Sequence, residues 1–266
     1  MKKRVISAIV ALLICVPMLL VGGLIFDMGV IVIALLGLRE FLHAREAKKE
    51  LPMFIDFISY IVLALLVASG INTNSLVLNV DFRVISALTM VFLIPVVLYH
   101  NRELYSVTDA FYLIGGVFFL GISFSLFIIY RNINILLLIY LFIITIITDT
   151  YAYIMGRLIG KRKLIAEVSP NKTWEGLISG TLFGTLLASV FYISVINIYV
   201  NPALLILITL FLSIVGQFGD LVFSAIKRYF GIKDFSNIMP GHGGILDRLD
   251  SIIFVMLGFV FFISIL

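Results

Sequence analysis

The residues of this chain that could do chemistry gather after residue 145. The stretch "GHGGILDRLDS" at 241–251 places three glycines, His242, Asp247, Arg248 and Asp250 just ahead of the last apolar run. Asp247 and Asp250 are three residues apart at a helix start, hence neighbours on one face. Acidic groups there also suit the helix dipole, which is the plainer reading of the pair. Gly241, Gly243 and Gly244 let a backbone turn its N–H groups toward an anion, although a tight turn alone would account for them.

Just upstream, Gln217, Asp220, Ser224 and Lys227 follow one another at helical spacing, so they form one polar stripe on an otherwise apolar helix. Lys227, Arg228 and Lys233 then supply charge-assisted hydrogen bonds of the kind that hold phosphate oxygens. In "TIITDTYAYIMGRLIGKRKL" (145–164), Thr145, Asp149, Tyr153 and Arg157 share a helix face. Asp149 lies inside the apolar run. A carboxylate there costs roughly 2.5–3.5 kcal/mol on insertion scales, so it marks function unless Arg157 pairs with it. "EVSPNKTWEG" (167–176) reads as a turn at Ser169–Pro170, with Asn171 or Thr173 capping the next helix and Lys172 beside its N-terminus.

Aspartates 149, 220, 247 and 250 with lysines, arginines and a glycine turn suit a divalent cation and phosphates together. Magnesium fits, because it takes one or two carboxylates plus substrate phosphates and water. Zinc does not, since His242 is the only histidine nearby. The chemistry implied is a nucleotide or pyrophosphate reacting at lipid-headgroup depth.

The elements that position these groups are apolar. Of 266 residues, 62% are hydrophobic and 13% charged, against about 25% charged in a soluble domain. The apolar residues run continuously, which predicts a polytopic all-α integral membrane protein and excludes an alternating β-barrel pattern. Nine spans are expected. The stretch 5–38 holds two of them, hinged near Gly22, Gly23 and Asp27. The others fall near 54–70, 84–99, 110–130, 133–155, 176–200, 203–224 and 250–266. The basic start reads as a retained first span, not a cleaved leader.

With the N-terminus inside, 17 of the 19 basic residues fall in inner segments, leaving only Arg83 and Arg131. The net charge of +4 thus describes a basic cytoplasmic face and not a nucleic-acid-binding protein. The segment 39–53, "REFLHAREAKKEL" within it, reads as a solvated or interfacial helix whose basic residues set topology. His43 and His100 are read as incidental. Gly176, Gly180 and Gly184 recur every four residues and predict a close helix-packing face. Lone Cys15 excludes a disulfide framework. Three regions follow: an N-terminal transmembrane scaffold (1–105), a middle region ending in a basic loop (106–175), and a C-terminal region carrying the site (176–266).

The run Ser224-x-Ile-Lys227-Arg228-x4-Lys233-Asp234-x5-Pro240-x-His242-Gly243-Gly244-x2-Asp247-Arg248-x-Asp250 resembles the signature of phosphatidate cytidylyltransferases (CDP-diacylglycerol synthases). "TDTYAYIMGRLIGKRKL" and "VSPNKTWEG" resemble other motifs of that family, in the same order. Two positions depart from the pattern: Phe223 stands where Glu is usual before the serine, and Met239 where Leu, Ile or Phe is usual. Met239 is a volume-conserving apolar swap. Phe223 removes a carboxylate, and any metal or lipid role of that Glu is absent here.

The resemblance implies the reaction of CTP with phosphatidic acid to give CDP-diacylglycerol and pyrophosphate, with Mg2+ required and a second cation as an option. It implies Asp220 and Asp247 as principal metal ligands, with Asp149 and Asp250 as further ones. Lys172, Lys227, Arg228 and Lys233 would bind phosphates, and Ser169, Asn171 and Thr173 would hold the nucleotide. Ser224, His242, Gly243, Gly244 and Arg248 complete the expected substrate contacts, and catalysis would rest on Asp220, Asp247, Lys227 and Arg228. Members are often homodimers, and a bacterial inner (plasma) membrane with the site facing the cytoplasm is expected.

Two rivals share part of this pattern. A secondary transporter of a phosphate-containing anion would use intramembrane aspartates and Gly-interrupted helices, but no inverted repeat is apparent. Another lipid-phosphate nucleotidyl or glycosyl-phosphate transferase would share the metal and phosphate logic. The CDP-alcohol transferase pattern and the Walker P-loop are both absent from the chain.

Overall fold

The computed structural model describes residues 2–46, 50–71, 82–99, 101, 103–241, 243–263 and 265. His100, Arg102 and His242 lie outside them. Over the described residues each expected apolar stretch forms an α-helix. These are α1 (Lys2–Val21), α2 (Gly23–Glu46), α3 (Met53–Ala68), α4 (Phe82–Leu98), α5 (Val107–Ile133), α6 (Ile135–Ile159), α7 (Trp174–Phe191), α8 (Pro202–Tyr229) and α9 (Leu246–Phe259). A π-helical turn, Tyr192–Ile196, prolongs α7. Four of these are long and apolar enough to cross a bilayer: α5, α6, α7 with its π turn, and α8.

The chain punctuates these helices with residues suited to it. Gly22 (φ 67°) and Gly23 (φ 55°) take left-handed conformations that break α1 from α2, at the expected hinge. Asn134 caps α6 by accepting from Leu136 N at 2.8 Å. Asn201 accepts from Ala203 N at 3.0 Å to start α8, with Pro202 in the first turn, where its missing N–H costs nothing.

Two expectations need correction. The all-α architecture stands, but the Ser169–Pro170 turn does not: β1 (Lys163–Ile165) and β2 (Ser169–Thr173) form a short antiparallel hairpin between α6 and α7. Ser169–Pro170 is therefore strand, and the turn lies at 166–168. The pairing runs Lys163↔Thr173 and Ile165↔Ser169 with an irregularity between, so Pro170 sits where a missing N–H breaks no regular ladder. The segment 39–46 is not a separate solvated helix either, although Arg39 and His43 are exposed. Helix α2 continues through it to Glu46, and Glu40, Phe41, Leu42, Ala44 and Arg45 are buried.

The chain packs as two compact units: Met1–Ile129 with Asp234–Leu246, and Tyr130–Lys233 with Asp247–Leu266. In the first unit, Phe26, Val30, Ala34 and Leu38 of α2 and Leu113, Val117 and Leu120 of α5 are buried core residues. At the end of α2, Phe41 stacks on Tyr112 at 4.7 Å between ring centroids, and the tyrosine hydroxyl donates to Phe41 O at 2.8 Å. Arg45 pairs with Asp109 in the first turn of α5 and lies over the Tyr112 ring.

In the second unit, the Gly176–Gly180–Gly184 face of α7 packs against α6 as expected. A Cβ on Gly176 would come within 2.6 Å of Ala152 O, and one on Gly180 within 2.6 Å of Thr148 O. At Gly184 it would collide with the Thr148 hydroxyl. Two pairs of buried polar groups bond each other inside this unit: Thr148 with Ser213 at 2.7 Å and Tyr140 with Thr209 at 2.6 Å. The Tyr130 hydroxyl donates to Met256 O of α9 at 2.8 Å.

Candidate active site

The hairpin and helices α6, α8 and α9 of the second unit carry most of the expected site. Its framework begins at the hairpin. Thr173 caps α7 by accepting from Gly176 N at 3.1 Å, which settles which of the two candidate residues does so. Glu175, in the first turn of α7, accepts from Lys161 N at 3.1 Å and Arg162 N at 3.3 Å, tying the chain before β1 to the helix after β2. Sequence reading had not singled out Glu175. An acidic residue two positions past a cap was the signal, and it has the usual dipole explanation.

The hairpin so fixed presents Lys172 to α8. Its Nζ lies 2.7 Å from Asp220 Oδ2 and 3.4 Å from Gln217 O. Asp220 Oδ1 also accepts from Ser224 Oγ at 3.2 Å, one helical turn on. Gln217, a turn earlier, is buried and donates through Nε2 to Thr181 Oγ1 at 2.8 Å and Leu177 O at 3.2 Å of α7. The polar stripe of α8 is thus real, with Gln217 bonded to α7 and Asp220 to the hairpin.

At the last turn of α8, buried Lys227 donates from Nζ to Asp247 Oδ1 at 2.6 Å. This pair joins α8 to the first turn of α9. Both residues are largely shielded, with side-chain exposures of 10% and 3%, so the pair stands in a low-dielectric setting. Next to it, Arg228 turns outward, donating from Nε to Val168 O of the hairpin turn at 3.4 Å and from Nη1 to Ile232 O at 3.1 Å.

Asp149 of α6 and Asp250 of α9 lie within electrostatic reach of Asp220 and of each other, with Lys172 acting on the first and Lys227 on the second. Among the described residues, the groups acting on Asp149 are Asp220, Ser251 and Lys172, and Arg157 is not one of them. Asp149 instead borders a narrow crevice with Thr145, Thr148, Ser213, Gln217 and Ser251. The arrangement is carboxylates and lysines, interleaved, on two helices long enough to cross a membrane (α6 and α8), on α9 and on the hairpin.

The donor set suits a hard cation in kind, being carboxylate and hydroxyl oxygen throughout. Among the described residues, no three His, Cys, Asp or Glu side chains converge tightly enough to hold an ion by themselves. A magnesium ion would need only one or two of these carboxylates, with phosphates and water for the rest of its shell.

The remaining expected residues are placed apart from these pairs or are exposed. Ser169 and Asn171 lie on β2, with Asn171 exposed, and Lys233 and Arg248 are exposed. Gly243 and Gly244 belong to the loop of the first unit. Gly241 (φ 82°) and Gly243 (φ 84°) adopt the left-handed conformations that their turn needs, and Met239 N donates to Gly243 O at 3.0 Å. Phe223 is fully buried on α8 and meets Phe254 of α9 edge-on at 6.3 Å. At this position the chain has packing in place of a carboxylate.

Sequence reading missed Glu40, which is buried in the first unit and bonded to the signature loop. The available signal was the apolar face of α2 running on past Arg39 through Phe41, Leu42 and Ala44.

An apolar helical chain with interleaved lysine–carboxylate pairs defines a phosphate-handling protein built for a membrane setting. The chain belongs to the cytidylyltransferase family, whose model matches residues 2–266. It is 40% identical over 257 residues to the "Phosphatidate cytidylyltransferase" of Staphylococcus haemolyticus, covering 96% of each chain. The proteins of the same name from Staphylococcus epidermidis and Staphylococcus aureus are 40% and 38% identical over the same length, again covering 96% of each.

Proposed function

We infer that this chain is a CTP:phosphatidate cytidylyltransferase, forming CDP-diacylglycerol and pyrophosphate for phospholipid biosynthesis. The observation that carries the reading is the pair of lysine–carboxylate contacts, Lys172–Asp220 and Lys227–Asp247, that bracket the polar stripe of α8. The family match along residues 2–266 supports a cytidine nucleotide as the partner of those charges.

An oxygen of the lipid phosphomonoester attacks the α-phosphorus of CTP, and the bond to the β-phosphate oxygen breaks, releasing pyrophosphate. A phosphomonoester is largely ionised near neutral pH, its second pKa being about 6, so the attack needs no strong general base. That suits a site rich in cations and poor in histidine. Lys172, Lys227, Arg228 and Lys233 bind and orient phosphate oxygens, and neutralise the charge that spreads over them as the bonds exchange. Asp220 and Asp247 are the carboxylates that would hold Mg2+, with Asp149 and Asp250 adjoining, and the ion would supply charge stabilisation to the phosphates. Ser169, Asn171 and Thr173 border the nucleotide on the hairpin side, and Ser224 holds Asp220 in place.

In this reading the helices lie in a bacterial plasma membrane with the hairpin and basic residues on the cytoplasmic face, as the positive-inside bias requires. The shorter apolar helices join the four long ones as spans, and the protein works as a homodimer. The transport reading is not favoured, because membership of a transferase family does not lead to it.

The test is incorporation of radiolabelled CTP into chloroform-soluble lipid by detergent-purified protein. Phosphatidic acid and magnesium are left out in turn, with Asp247→Asn as control. Label in lipid only from the full mixture, and none from the variant, is the expected result. Silence from folded wild-type protein would refute the assignment.

A further inference from the structure

We propose that Glu40 is a positioning residue for this reaction, one that fixes the start of α9 and with it the carboxylate of Asp247. Glu40 lies near the end of α2 and is 1% exposed. Its Oε1 accepts from Ser236 Oγ at 2.6 Å and from Ile245 N at 2.8 Å, and its Oε2 accepts from Leu246 N at 2.9 Å. Leu246 opens α9, and Ile245 precedes it. These two N–H groups are among those that a helix start leaves without an internal partner. The negative end of a carboxylate also meets the positive end of the helix dipole. The anion that suits this glycine turn is therefore supplied by the protein's own side chain.

The neighbouring glycines are shaped to that contact. A Cβ on Gly244 would stand 2.5 Å from both carboxylate oxygens of Glu40. Gly37, one turn earlier on α2, lets the same helix approach Leu246, since a Cβ there would be 3.1 Å from the leucine Cδ2. Asp247 is the next residue of α9, so a helix start gripped at 245 and 246 sets the origin of its side chain. Glu40 itself touches no reacting group in this scheme. Its role is geometric, and it rests on the transferase reading above.

The experiment compares Glu40→Gln, Glu40→Ala, Glu40→Asp, Gly244→Ala and the double variant Glu40→Asp/Gly244→Ala with wild type in the lipid-labelling assay. Thermal midpoints are measured on the same preparations. Gln keeps one acceptor but sets an amide N–H₂ against a donor, so Glu40→Gln and Glu40→Ala lower kcat by about 100-fold, as misplacement by an ångström does. KM for CTP and for phosphatidate stays within about twofold, because no ground-state contact is lost.

Gly244→Ala is impaired by its clash. Shortening Glu40 by one C–C bond, about 1.5 Å, makes room for the new methyl group, so the double variant recovers activity relative to Gly244→Ala. Should Glu40→Ala fail to fold, Glu40→Gln and the double variant decide the matter. Wild-type kcat in Glu40→Gln, a loss carried by KM, or no recovery in the double variant would each overturn the role. Silent wild-type protein would overturn the reaction assignment first, and this role with it.

Discussion

Lys172 of the hairpin and Asp220 of α8 meet at 2.7 Å, with side-chain exposures of 26% and 30%. A fully buried pair would be locked, and a fully exposed one would be loose. This one joins two elements while remaining open to a ligand. On the proposed function, an arriving phosphate would take the lysine and leave Asp220, still held by Ser224, to a cation.

Replacing Lys172 with Met is accordingly expected to raise KM for CTP by 10-fold or more, roughly the loss of one charge-assisted contact of 1.5 kcal/mol or above. Stability should move by less than about 1 kcal/mol, since partly exposed ion pairs contribute little. Steady-state kinetics and thermal unfolding of the same preparation check both halves. An unchanged KM with a large fall in unfolding temperature would make the lysine a strut and nothing more.

The pair Lys227–Asp247 should behave differently, because it is shielded. Asp247→Leu alone removes the carboxylate bonded to a buried ammonium and is expected to destabilise by about 3 kcal/mol. Adding Lys227→Met should return most of that stability, since a packed apolar pair removes both desolvated charges. Activity should not return with it, because the carboxylate proposed to hold the metal is gone. Recovery of label incorporation in the double variant would remove Asp247 from the catalytic set.

Phe223→Glu restores the carboxylate usual in the family pattern, and here it should harm. The ring is fully buried and faces Phe254, so a carboxylate in its place loses the aromatic packing and gains no described partner. A lower unfolding temperature with no gain in kcat is expected. A gain in kcat would show that the position still serves the reaction.

The helices were largely legible in the chain because apolar runs, glycine breaks and Asn caps act locally. The hinge at Gly22–Gly23 and the glycine face of α7 fell where spacing alone put them. The polar stripe of α8 was legible for the same reason, since a helix converts spacing directly into facing. The hairpin was not, because three residues of β1 pair across a turn with a strand containing proline, and no alternation announces it. Glu40 was hidden for another reason. Its partners lie some 200 positions along the chain, at Ser236, Ile245 and Leu246, and a basic-looking segment beside it invited a topological explanation.

The glycine contacts between α6 and α7 carry a consequence for how a two-tailed lipid reaches the site. The two helices approach through backbone and short side chains at Gly176, Gly180 and Gly184, over successive turns, and Tyr151 of α6 stacks on Phe183 of α7 beside them at 4.3 Å. Glu175 and Thr173 then fasten the hairpin to the start of α7. On the proposed function, a seam packed this closely is a poor lateral gate, and acyl tails are expected to enter along another flank of the helices.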